Sequence, residues 1–562
     1  MSVTREATKT TKNGANIGAK NGAKNGAKGG ITRRGTRPVS YAEHGMVATA
    51  HYLATGAALD VLKEGGTAVD AAICAAATMS VVLPHMIGIG GDAFWMIHDA
   101  KSNSLSAING GGTCGRHITL DTYRDLDAIP SRGPQSAITV PGAVDSWRLA
   151  HEKFGSKPFT RLLAPAIRYG REGFAVTQDI SQWIHDDAET FRQDPGAAGI
   201  FLKDGLPYSP GERLTQNALA ATLEKIAYNG PRHFYEETGR DIASYLNSRG
   251  GLLSHDDFSD YRAKWVEPIT TSYRGFQAYQ VPPPSQGMAG LLILNFLEGL
   301  DLSDMEPDSP EYYHAMIQAI KWAFSKRDRY LTDPDFFDIP IEKLLDPALA
   351  NAERDAWISD ASLTHENRVG GSDTTFISIA DQYGNTVGLV QSLYFDFGSC
   401  VADPVSGVLL QNRGSFFSLQ PDHPNVLQPG KQSASTLMSG MLFKDGKPYL
   451  VYGTQGGEVQ PQTQTSVVTR VVDFGLDVQQ AIDAPRVLYG RSWGDDGNRL
   501  LLESTAPTDS FNALKAQGHP VEAAQWPFPR MGTAQAIRLP GPWSPFFEGG
   551  ADPRGEGIAL GF

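Results

Sequence analysis

Gly370-Gly371-Ser372-Asp373-Thr374-Thr375-Phe376-Ile377-Ser378 is the stretch on which the reading of this chain turns. After a glycine-rich approach, β-branched and aromatic residues follow one another as strands prefer. The run continues to Ala380-Asp381, turns at QYGN (382–385) and resumes as TVGLVQSLYF (386–395), the pattern of a β-hairpin. A threonine hydroxyl is a weak nucleophile at neutral pH unless a base lies beside it. Scission before Thr374 would supply that base as the residue's own new α-amine, whose ordinary pKa is about 8. The same Asp-Thr-Thr also suits a loop entering an ordinary strand.

Outward from this hairpin the pattern stays layered. MLFKDGKPYLVYG (441–453) reads as a second hairpin with Asp445-Gly446 at its turn. Gly456-Gly457 follows it and precedes a helix expected from about Pro461, where free backbone N–H groups would face an oxygen gaining negative charge. A Gly-Gly there also serves as a plain packing turn. Helical patterns continue through QTSVVTRVVDFGL (464–476) and DVQQAID (477–483). Upstream, 48–66 reads as a helix ending on Gly65-Gly66, 67–84 as a helix apolar nearly all round, and 311–331 as an amphipathic helix. Hairpins flanked by helices predict stacked sheets covered by helices rather than a Rossmann alternation.

Gly88-Ile89-Gly90-Gly91-Asp92-Ala93 matches a dinucleotide fingerprint in letters only. A helix precedes it and a strand-like AFWMIH follows, the reverse of what that fingerprint needs. We read it as a tight turn between closely approaching backbones. No GxSxG elbow with strand and helix flanks is present, so a Ser-His-Asp hydrolase has no support.

The 562 residues carry a formal charge of −13, although residues 1–37 hold nine Lys/Arg against one acid. The rest is therefore strongly acidic, which argues against nucleic acid as partner. KNGAKNGAKGG (20–30) offers nothing to bury, so 1–37 is expected to be a flexible basic tail. Three cysteines, Cys74, Cys114 and Cys400, support no disulfide framework and suggest the cytoplasm. Without CxxC or HExxH, no metal site is expected, and no apolar run reaches the ~20 residues of a membrane helix.

AVDAAICAAATMSVVLPHMIGIGGDAFW, PSRGPQSAITVPGAVDSW, VPPPSQG, DTTFISIADQYGN, FGSCVADPVSGVLLQN, TQGG, DAPR and GADPR occur in this order across 40–562. In these motifs the chain resembles the γ-glutamyltranspeptidase family of N-terminal nucleophile hydrolases. The resemblance implies an α+β fold, a four-layer αββα sandwich, and a proenzyme that cleaves itself between Asp373 and Thr374. A large subunit (38–373) and a small catalytic subunit (374–562) would come from one precursor. It implies Thr374 as nucleophile, Ser392 as supporting hydroxyl, Gly456 and Gly457 as oxyanion donors, and Ser435 and Thr436 as pocket lining. No cofactor is implied.

The departures bear on substrate. Gly111 stands where transpeptidases carry the Arg that grips the γ-glutamyl α-carboxylate. Phe416 stands for the Asp that holds the α-amine, and Tyr394 for an Asn. QSLYFDFGS and QNRGSFFSL look instead like the oxamate amidohydrolase branch and its acylase-like relatives. Arg413 could grip a substrate carboxylate with its planar fork or form a structural ion pair, while Tyr394 donates a hydrogen bond or closes the pocket. The expectation is a threonine amidohydrolase for a small carboxylate-bearing, oxamate-like amide. The alternatives are a γ-glutamyltransferase or glutathione hydrolase, and an uncut, noncatalytic binding protein.

Overall fold

The computed structural model describes residues 36–363, 373–490 and 499–562. All but the last two residues of the expected tail, 1–37, lie outside the described residues, as do Gly370–Ser372.

Both expected hairpins are present. Strand Asp373–Ala380 pairs antiparallel with Thr386–Tyr394, and Gly440–Lys444 with Lys447–Thr454. The second closes on Asp445 (φ 51°) and Gly446 (φ 75°), the pair of left-handed residues that a two-residue hairpin turn requires. Each hairpin lies inside a seven-stranded antiparallel sheet. The first sheet runs in the order Ile558–Gly561, Met46–Thr49, Asp373–Ala380, Thr386–Tyr394, Asp92–Asp99, Ser104–Gly110, Lys264–Val266. The second runs Ser40–Ala42, Phe547–Ala551, Ala534–Arg538, Lys447–Thr454, Gly440–Lys444, Phe276–Gln280, Ile269–Tyr273.

Side-chain alternation shows how the sheets stack, because successive residues of a strand point to opposite faces. Phe376 and Ala380 join Met441, Phe443, Val451 and Ile537 in one buried cluster made by both sheets. Ile377 and Ile379 point the other way, into a core shared with the helices Tyr52–Lys63 and Ala68–Val82. Leu442, Leu450 and Tyr452 likewise leave the second sheet toward the helices Gly287–Glu298, Pro310–Tyr330 and Val459–Val472. Helix, sheet, sheet and helix layers follow in turn, the αββα sandwich expected.

The helices differ from the sequence reading mainly at their ends. Ala48 and Thr49 belong to a strand, and the first helix starts at Tyr52 because His51 Nδ1 accepts the Leu53 N–H at 3.2 Å. Histidine is an uncommon cap, so its position gave no start signal. Helix Ala68–Val82 begins with a Thr67–Asp70 capping box and is buried at all 15 positions, which explains its apolar circumference. Val459–Val472 starts two residues before Pro461 and stops four before Leu476, where Gly475 turns left-handed at φ 68°.

The Gly88–Ala93 turn is a close backbone approach. A Cβ on Gly91 would lie 2.1 Å from the Ser392 carbonyl oxygen, and one on Gly90 2.1 Å from that of Leu409. Gly91→Ala must therefore push the end of the Thr386–Tyr394 strand aside. We expect a loss of about 1–3 kcal/mol or more, read as a lowered melting temperature. An unchanged melting curve would contradict the approach.

Candidate active site

Thr374 is the second residue of its strand and shares the parity of Phe376, so its side chain faces the space between the sheets. It is fully buried, and its Oγ1 accepts from Gln460 Nε2 at 3.5 Å. The Gln460 amide is itself oriented, since its Oε1 accepts the Met438 N–H at 3.1 Å. Opposite Thr374 the ladder is irregular: Asp373 pairs with Tyr394 and Thr375 with Gln391, so Ser392 and Leu393 together face one residue. Such bulges re-aim side chains and gather beside active sites. The Tyr394 N–H, turned out of the ladder, donates to Ser392 Oγ at 2.7 Å.

Gly456 and Gly457 sit between strand Lys447–Thr454 and helix Val459–Val472, both left-handed at φ 113° and φ 53°. Glycine adopts that backbone without a side-chain penalty. Neither N–H donates to another described residue, while the Gly456 and Gly457 carbonyls accept the Val459 and Gln460 N–H groups at 2.8 and 3.2 Å. Gln460 thus links the turn to Thr374.

Arg413 is fully buried. Its Nε lies 3.5 Å from Asp92 Oδ2, its Nη1 donates to Thr436 Oγ1 at 3.3 Å, and Nη2 has no hydrogen-bond partner. Burial pushes the Asp92 carboxyl up to about 6 against the pull of Arg413 and the bonds from Gln411 and Gly112. Burial likewise lowers the Arg413 guanidinium, and Asp92 opposes it. Of the two readings of Arg413, the ion pair is therefore present, and one arm of the fork is left over.

Tyr394 closes this corner. Its φ of 84° is a strained conformation for a bulky residue. The ring lies 4.3 Å from the Arg413 guanidinium carbon and stacks on Phe395 and Phe416 at 4.6 and 5.7 Å between centroids. Burial raises its phenol well above the ordinary range. Ser435 is held by its backbone: its N–H donates to Pro284 O at 2.7 Å and its O accepts the Gln286 N–H at 2.8 Å. Ser392, Thr374 and the Gly456-Gly457 turn meet around Gln460 and the bulge, and Arg413, Tyr394 and Thr436 meet beside Asp92.

Sequence reading missed three contributors. Asp92 belongs to the Gly88–Ala93 turn in the sequence pattern, and an acid at the mouth of an otherwise apolar strand is its visible signal. Gln460 follows the Gly-Gly turn by three residues, which a helix beginning at Val459 turns toward Thr374. Arg132 has Nη1 donating to the carbonyls of Asp396 and Gly398, each at 2.5 Å, and Nη2 to Asp396 Oδ2 at 2.7 Å. It clamps the loop that follows Tyr394. Among the described residues, no group of three His, Cys, Asp or Glu is placed to hold a metal ion, and no helix is long and apolar enough to cross a membrane.

The model of the family described as Gamma-glutamyltranspeptidase matches residues 54–562. The chain belongs to the gamma-glutamyltranspeptidase family. It is a hydrolase acting on carbon–nitrogen bonds, with the N-terminal nucleophile hydrolase fold. It is 44% identical to the glutathione hydrolase-like YwrD proenzyme of Bacillus subtilis (strain 168), covering 92% of this chain and 98% of that protein. It is 37% identical to the oxamate amidohydrolase proenzyme of Klebsiella pneumoniae, again over 92% and 98%. The crystal structure of a cephalosporin acylase from Bacillus halodurans superposes with a TM-score of 0.87 at 34% identity, covering 94% of this chain and 97% of that one. The Bacillus subtilis and Klebsiella pneumoniae relatives are named as proenzymes, which implies a precursor cleaved into two subunits.

The buried Asp92 carboxyl gives the site a pH signature. Its folded-state value lies above that of an exposed carboxyl, so its stabilising contribution is complete below about pH 4 and is lost as pH rises to about 6. Asp92→Asn removes that titration. Melting temperatures from pH 4 to 6 should fall more steeply in wild type than in the variant, a differential on the order of a few kcal/mol. Parallel curves would show that Asp92 does not titrate there.

Proposed function

We propose that this chain is a self-processing threonine amidohydrolase that acts on a small, carboxylate-bearing, oxamate-like amide. The observation that carries the reading is Thr374 itself, a buried hydroxyl aimed between the sheets, held by Gln460 at 3.5 Å and flanked by a bulge. In the precursor the Thr374 Oγ attacks the Asp373 carbonyl carbon and forms an ester as the peptide C–N bond breaks. The hydroxyl proton passes to the released nitrogen, and water then hydrolyses the ester to an Asp373 carboxyl, a free hydroxyl and a free α-amine. Residues 38–373 and 374–562 become the large and small subunits.

In the mature enzyme the α-amine takes the hydroxyl proton and the alkoxide attacks the substrate amide. Gly456 and Gly457 N–H groups receive the tetrahedral oxyanion, and Ser392 supports the nucleophile. The amine leaves with the proton, and water hydrolyses the acyl ester. Every group needed comes from the protein, so the reaction calls for no cofactor or metal.

Arg413, Tyr394, Ser435 and Thr436 form the acyl pocket in this reading, with Arg413 Nη2 as the arm left for a substrate carboxylate. A γ-glutamyl donor is less well served. The Arg that would grip its α-carboxylate is Gly111, and Phe416 offers its α-ammonium a ring stacked on Tyr394. Asp92, the carboxylate beside Arg413, already binds Gly112 N and Gln411 Nε2 at 2.7 and 2.9 Å. Glutathione hydrolysis is the second reading, favoured by the name of the 44% identical relative. The three buried free thiols fit a reducing compartment, the cytoplasm.

Thr374→Ala is expected to give one uncut band on a denaturing gel and no amide hydrolysis. N-terminal sequencing of the short wild-type fragment should read Thr-Thr-Phe-Ile. Two bands from the variant would remove Thr374 from both roles. Release of ammonia from oxamate should exceed hydrolysis of glutathione, and efficient γ-glutamyl transfer to glycylglycine would reverse the substrate assignment. An uncut wild-type chain, inert toward all three, would favour a noncatalytic binding protein.

A further inference from the structure

We propose that Gln286, oriented by Arg327, is a positioning residue that sets the oxyanion turn and the pocket wall together. The inference rests on the reading of Gly456-Gly457 as oxyanion donors. Gln286 lies in the VPPPSQG stretch, in the part of the chain before the cut, and is fully buried. Its Nε2 donates to the Thr436 carbonyl at 2.6 Å and to the Gly457 carbonyl at 2.7 Å. One amide group thereby ties the segment that contacts Arg413 to the turn beside Thr374.

The amide has one orientation available. Arg327 Nη1 donates to Gln286 Oε1 at 3.2 Å, and a guanidinium can only donate, so it fixes the oxygen on its own side and both amide hydrogens on the other. Arg327 also donates through Nη2 to Glu458 Oε1 at 3.0 Å and through Nε to Asp328 Oδ1 at 2.6 Å, and its guanidinium lies 3.8 Å over the Phe324 ring. Glu458 adjoins Gly457, so the turn is gripped at two successive residues by groups from the large subunit. The Gly457 N–H shares its peptide plane with the Gly456 carbonyl, which accepts the Val459 N–H at 2.8 Å; with the Gly457 carbonyl held by Gln286 as well, the residue is fixed from both sides and its N–H cannot swing without breaking one of these bonds. Alternative packing of this kind would be expected to stabilise the fold; what sets positioning apart is that it changes the rate at constant stability.

Gln286→Glu keeps the shape and exchanges the double donor for a group that donates only when protonated. Ionised, it faces the Thr436 and Gly457 carbonyls with no hydrogen to give; the charged groups around it are Arg327, Glu458 and Asp328. We would measure kcat and KM per processed chain, with melting temperature, for wild type, Gln286→Glu and Gln286→Ala. The substrate is whichever of oxamate and glutathione the wild type turns over faster. Both variants should lose roughly tenfold or more in kcat, within the 10²–10³ that outright loss of one oxyanion donor costs, with KM nearly unchanged. Gln286→Glu should regain rate relative to wild type as pH is lowered. Wild-type kcat in Gln286→Glu, or a loss that follows melting temperature and not pH, would overturn the proposal. Thr374→Ala run alongside separates the two readings. Activity surviving there sinks the nucleophile, whereas an inactive Thr374→Ala beside unimpaired Gln286 variants sinks only the role of Gln286.

Discussion

The register of one strand against its neighbour is the constraint on which the site depends. Because side chains alternate along a strand, Thr374 faces the second sheet only while Phe376 and Ala380 do, and those two are fixed by burial between the sheets. A slip of one residue would turn the hydroxyl into the helix-facing core with Ile377. The register is held where Thr375 pairs with Gln391 and is broken one step later, where Ser392 and Leu393 share a single partner. Gly91 makes that break possible by letting the Gly88–Ala93 turn lie against the Ser392 carbonyl. A regular ladder through this point would have consumed the Tyr394 N–H and left Ser392 Oγ without its 2.7 Å bond.

Scission at Asp373–Thr374 is compatible with this architecture because neither sheet belongs to one fragment. In the first sheet, Met46–Thr49 lies between Ile558–Gly561 and Asp373–Ala380, and Asp92–Asp99 pairs with Thr386–Tyr394. In the second, Ser40–Ala42 pairs with Phe547–Ala551 and Phe276–Gln280 with Gly440–Lys444. Strands from both sides of Asp373–Thr374 are hydrogen-bonded neighbours five times over. Separating the fragments would expose the core between the sheets, so the proposed cut would free a terminus without freeing a domain. Asp92 and Gln286, which precede the proposed cut, lie against Arg413 and Gly457, which follow it.

The sequence disclosed what is local or patterned. Asp445-Gly446, the all-round apolar helix 68–82 and the strand character of 374–381 each follow from neighbouring residues, and all are present. Thr374 and Gly456-Gly457 stood out because their chemistry is unusual in place. The partners did not stand out, because their meaning lies in separation along the chain. Asp92 and Arg413 are 321 positions apart and come to 3.5 Å because the segment before Arg413 lies against the Gly88–Ala93 turn, where the Gln411 N–H donates to the Gly90 carbonyl at 3.0 Å. Gln286 reads as the end of a proline-rich turn until its amide is seen between two carbonyls. The bulge has no composition signal, since it arises from how two strands end against a third.

Tyr394 shows what these constraints accomplish together. Its backbone is held where a bulky residue is disfavoured by about 1–3 kcal/mol, so something must hold it there. Its N–H is bound by Ser392 Oγ, its ring is packed between the Arg413 guanidinium and the Phe395 and Phe416 rings, and Arg132 grips the loop beyond it. Arg413 is in turn kept in place by Asp92, and a buried cation over an aromatic face gains from being desolvated. In the proposed reading, a branched, doubly charged acyl group would enter only by releasing several of these contacts at once. In the proposed reading that rigidity selects a small acyl portion, with the free arm of Arg413 as the place where its carboxylate would be recognised.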